Sequence, residues 1–133
     1  MIYKNFYIEL GNLLYAVAKI DGKIQDKELR KIHEGVAKEL VPNEATTDEF
    51  GTDSAYYVEM QFETMQEEGA DPEDCFTSFI AYIEDHHSAF DDRLKNATIL
   101  LADSVADAFK GTNKKEQEIL MRLKHKIESL QKA

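Results

Sequence analysis

Apolar side chains recur along most of this chain at the three- and four-residue spacing of α-helices. Phe6, Leu10, Leu13, Leu14 and Val17 lie on one face of a helix predicted over about 3–20. Leu29, Ile32, Val36 and Leu40 mark a second over about 26–40. Val41-Pro42-Asn43 ends it, because proline pushes the residue before it away from the helical region. The polar stretch NEATTDEFGTD reads as the longest loop. Ala55, Val58, Phe62 and Met65 then predict a helix over about 54–68, closed by Gly69. Asp71-Pro72-Glu73-Asp74 is the cleanest helix start in the chain: an aspartate to cap, a proline suited to the first helical position, and two acids in the first turn. Phe76, Phe79, Ile80 and Ile83 carry that helix to about Phe90. Asp91-Asp92 opens the next, with Leu94, Thr98, Leu101, Val105 and Phe109 along one side and Gly111 at its end. Asn113 with Glu116 three residues later resembles a capping box, and Ile119, Leu120, Leu123, Ile127 and Leu130 form the stripe of a last helix. No stretch alternates with the period of two that strands require. The expected fold is all-α, one compact domain over residues 1–133 with about six to seven helices, two of its helical hairpins being related.

The first hairpin, from Leu13 to Ile32, reads LLYAVAKIDGKIQDKELRKI. Gly22 suits a helix stop, Ile24 can plug the gap between the helices, and Glu28 lies in a first turn, where the helix dipole favours a carboxylate. One reading is a calcium loop. Asp21, Gly22, Ile24 and Glu28 match the second half of an EF-hand pattern, but Val17 and Lys19 stand where the first two ligands belong. Asp21, Glu28 and backbone alone cannot build a six- or seven-oxygen cage, so this reading is that of a degenerate EF-hand-like calcium binder.

A second reading rests on resemblance. An alanine-rich helix end (Ala16, Ala18), Asp21-Gly22, the apolar Ile24 and Glu28 six residues after the glycine resemble the signature of the tellurite-resistance TerB-like domains. The resemblance implies a second such hairpin downstream. Sliding the chain by 88 positions overlays Leu13–Ile32 on Leu101–Leu120 without a gap, and Leu13/Leu101, Val17/Val105, Ala18/Ala106, Lys27/Lys115 and Glu28/Glu116 are then identical. The Asp-Gly pair is replaced there by Phe109-Lys110, and Asp107 substitutes for the aspartate only if the turn is about two residues longer. The two hairpins are expected to pack together about a pseudo-two-fold axis.

Charge narrows the functional classes. The formal net charge is −10, yet no lysine or arginine occurs from Glu39 to Asp92, where sixteen of the 26 acidic residues lie. Such a block repels nucleic acid and anionic lipid, and reads as a solvated surface, as a docking face for a basic protein partner, or as a weak divalent-cation surface. The six cations of the last helix, from Lys114 to Lys132, surround its apolar stripe and read as a solvated face. No run is long and apolar enough to span a membrane, and the start lacks the basic region of a secretory signal, so the expectation is a cytoplasmic protein. Cys75, the single cysteine, sits beside Phe76 and Phe79 and is expected to be an unreactive helical thiol.

Two constellations could hold a metal. Asp21 and Glu28 could face one cation, with Asp103 and Asp107, one turn apart, as a second pair and Glu116 as the counterpart of Glu28. The TerB-like resemblance implies acidic residues around paired turns and metal binding there. Against this, Glu116 stands at the third helical position, where a glutamate satisfies its own helix N-terminus, and Glu28 does so by analogy. The other constellation is Glu84, His87 and Asp91, with the Glu-x-x-His spacing of carboxylate-bridged di-iron bundles. Only one such motif occurs where two are needed, and His87 continues the Phe76–Ile83 stripe, as a partly buried histidine would. No Gly-x-Ser-x-Gly and no phosphate loop exist. The expectation is a non-enzymatic acidic helical module for protein interaction, with a weakly bound divalent cation and a setting in stress response implied by the resemblance. The alternatives are a metalloenzyme using Glu84, His87 and Asp91, and the degenerate calcium binder.

Overall fold

A computed structural model describes residues 3–20, 30, 34, 48–107 and 114–131. Among them are five α-helices and no strand: α1 (Tyr3–Lys19), α2 (Asp48–Glu68), α3 (Pro72–Asp85), α4 (Asp92–Asp107) and α5 (Lys114–Gln131). The all-α class is therefore correct. Apart from Arg30 and Glu34, both helical, the expected second helix lies outside the described residues, as do the stop at Gly111, the cap at Asn113, Asp21 and Glu28.

The first helix is the axis of the molecule. It packs against α2, α3 and α4 and touches α5. From Leu10 to Ala18 every residue of α1 is buried, so a helix predicted to have one apolar face is enclosed on all sides. Small and hydrogen-bonded residues make this enclosure possible. A Cβ on Gly11 would lie 2.6 Å from the Val58 carbonyl oxygen and 2.8 Å from the Cβ of Gln61, so glycine is what lets α1 and α2 approach this closely. Tyr15, fully buried, donates its hydroxyl to the Ala70 carbonyl at 2.8 Å and meets Phe62 edge-on. At the other end of α1, Phe6, Phe79 and Phe90 form a triangle of rings 5.9 to 6.5 Å apart, tying α1 to the middle of α3 and to the turn before α4.

The helix ends follow local chemistry. Gly69 has φ of 64°, and the Ala70 N–H bonds the Met65 carbonyl while the Gly69 N–H bonds that of Gln66. This is a Schellman stop, and it closes α2 where the sequence places it. Asp71 accepts from the Asp74 N–H at 3.1 Å, with Pro72 in the first turn of α3. Asp91 Oδ1 accepts from the Leu94 N–H at 3.0 Å and so caps α4.

Two boundaries differ from expectation. Residues 48–53, read as loop, are helical, and α2 begins at Asp48. Asp48 and Glu49 suit a first turn, and one interior glycine, Gly51, costs a helix only about 1 kcal/mol. In the other direction, α3 ends at Asp85 rather than near Phe90. Residues 86–90 form turns that swing Phe90 into full burial against Phe6 and Phe79, which continued helix would not allow. His87 is consequently exposed, not a partly buried member of the α3 stripe. His86 takes the intermediate position and stacks on Tyr82 with ring centroids 4.3 Å apart.

Candidate functional site

The carboxylates with candidate roles are spread over different surfaces. Asp103 and Asp107 lie on the outward side of α4, in line with exposed Asn96 and Leu100. Asp103 Oδ1 pairs with Lys124 Nζ of α5 at 3.2 Å. Glu116, in the first turn of α5, is completely buried. The structure thus places Glu116 in the interior and the two aspartates toward solvent. Among the described residues no three His, Cys, Asp or Glu side chains converge as metal ligands.

The Glu84, His87 and Asp91 set is likewise divided. Glu84 pairs with Lys126 at 2.9 Å, the exposed His87 directs Nδ1 to the Glu84 carbonyl at 3.2 Å, and Asp91 is occupied as the α4 cap. Cys75 is buried on α3, and its thiol is pushed up to about 11 by burial first, then by the charges of Asp74, Asp71, Glu9 and Glu68. A thiol held protonated this far above neutral pH is a poor nucleophile, in keeping with the unreactive cysteine expected from Phe76 and Phe79.

The acidic block meets two different environments. Along α3, Glu73 receives Arg122 at 2.8 and 3.0 Å, while Glu84 receives Lys126. The Arg122 guanidinium also lies 4.6 Å from the centre of the Phe76 ring. Arg122, Lys124 and Lys126 of α5 therefore serve as internal counter-charges to α3 and α4. Around the α2–α3 turn, Glu63, Glu67, Glu68, Asp71 and Asp74 are all exposed, and no lysine or arginine is interspersed in that stretch.

Sequence reasoning missed one polar constellation. Ser78 Oγ of α3 donates to Glu9 at 2.8 and 3.0 Å, and Asn12 Nδ2 donates to the same carboxylate at 3.1 Å. Gln61 Nε2 of α2 donates to Asn12 Oδ1 at 2.9 Å. A continuous hydrogen-bonded seam thus joins three helices, and Asn12 is buried within it. Burial, and then the Glu9 charge, push the nearby Tyr82 hydroxyl upward. The available signal was a glutamate and an asparagine one turn apart beside the α1 core stripe; their partners lie some 50 to 70 residues away in the chain.

No family model, no curated protein and no solved structure matches the chain. Among the described residues no helix is long and apolar enough to cross a membrane.

Proposed function

We propose that the chain is a non-enzymatic, TerB-like interaction module that presents an acidic surface to a basic protein partner. The observation that carries this reading is the exposed carboxylate series Glu63, Glu67, Glu68 and Asp74 around the α2–α3 turn, a stretch with no lysine or arginine of its own, while Glu73 and Glu84 are neutralised by α5 and Asp71 shares a cavity rim with Lys115 and Arg122. Spread charge of one sign steers and orients a partner of the opposite sign more than it tightens the final complex. The paired-hairpin part of the reading is supported by the buried faces of α1 and α4. Under the shift of 88, Leu13, Leu14, Val17 and Ala18 correspond to Leu101, Ala102, Val105 and Ala106, and all eight are buried in one core. The same shift carries the last residue of α1, Lys19, onto the last of α4, Asp107.

The test uses a lysine-rich helical peptide as probe. Glu63, Glu67 and Glu68 are changed together to glutamine, and a control removes charge from Glu118 and Glu128, exposed on α5. The expected result is a loss of affinity of about tenfold in the first variant and little change in the control, with both affinities falling as salt rises. Equal losses in the two variants would reduce the effect to net charge and overturn the docking surface.

A weak divalent cation at Asp21 and Glu28 belongs to the same proposal. Few protein oxygens and three nearby lysines, Lys19, Lys23 and Lys27, place its affinity in the millimolar range. Titration calorimetry with calcium and magnesium should give weak binding that Asp21→Asn abolishes; micromolar affinity would mean a fuller ligand set. Burial of Glu116 in the first turn of α5 favours a structural role for that residue, since a buried first-turn carboxylate is well placed for orphan helix N–H groups. Glu116→Ala should then lower the melting temperature equally with and without chelator. Destabilisation seen only in the presence of metal would restore Glu116 to the ligand set.

A further inference from the structure

We draw no further inference here: the strongest candidate, the cavity of about 390 Å³ between the end of α1, the start of α3 and the first half of α5, has Ile20, Pro72 and Ile119 in its walls but a rim that mixes Asp71, Glu73 and Glu118 with Lys115 and Arg122, so it selects no one ligand chemistry, and nothing in the structure shows what covers it.

Discussion

Helices α1 and α4 are the informative pair, because a shift of 88 residues superposes their sequences and yet they occupy different positions in the fold. They share one face. Leu13 and Leu101, Val17 and Val105, and Ala18 and Ala106 are identical and buried. They differ on the opposite face. Gly11, Asn12, Tyr15 and Ala16 of α1 correspond to Ile99, Leu100, Asp103 and Ser104 of α4. In α1 all four are buried, whereas Leu100 is 51% exposed and Asp103 pairs near the surface with Lys124. Hydropathy alone would have buried the leucine and exposed the asparagine. The outcome is reversed because α2 and α3 dock on that side of α1. A helix enclosed on every side needs small residues for close approach and polar residues whose hydrogen bonds are met by neighbours.

The comparison can be broken most directly at the shared face. Leu13→Ala and Leu101→Ala should each cost about 3 kcal/mol in urea unfolding, as expected for a buried leucine that leaves a cavity. A cost below about 1 kcal/mol for Leu101→Ala alone would mean that the two faces do not belong to one equally packed core.

The distinguishing face gives the next effects. Gly11→Ala should destabilise by about 2 kcal/mol despite the better helix propensity of alanine, because the added Cβ meets Val58 backbone. Asn12→Leu should also cost about 2 kcal/mol, since it strips Gln61 and Glu9 of a partner inside the seam. The mirror change, Leu100→Asn, should stay within about 0.5 kcal/mol. If Asn12→Leu stabilises the protein instead, the seam is a burden on folding rather than a fixture of it.

A smaller effect separates the α3 side of α1 by pH. The Cys75 thiol lies above its ordinary value near 9, at about 11, and burial is the main cause; burial also raises Tyr15 and Tyr82. A raised folded-state value favours the protonated form, so its contribution is complete below pH 9 and is lost as pH climbs toward 11. Denaturant midpoints measured between pH 8 and 11 should therefore fall across that window, and Cys75→Ala should shallow the slope. An unchanged slope in that variant would assign the fall to other groups.

The smallest effects are expected at the exposed ion pairs. Arg122→Ala and Lys126→Ala should each cost less than about 1 kcal/mol, because roughly half-exposed pairs are well screened by water and salt. Arg122→Ala should be the larger of the two, since the guanidinium also covers Phe76. Raising the salt concentration should shrink both differences.

The sequence by itself determined the helical class, the core faces of α1, α3, α4 and α5, the Gly69 stop and the Asp71 cap. These depend on the period of apolar residues and on chemistry within four residues, both of which can be read along a single strand of text. Tertiary structure decided the rest. It enclosed α1 on all sides, set Gly11 against Val58, joined Glu9 and Asn12 to residues half the chain away, and pulled Phe90 out of the helix register into the core. It also divided the acidic block into carboxylates met by α5 cations and carboxylates facing water, and sent Glu116 inward while Asp103 and Asp107 turned out. Charge carries no periodicity that reveals its partner. A polar side chain becomes buried only when a distant helix supplies the hydrogen bond that compensates lost water, and that supply is a property of the packed fold.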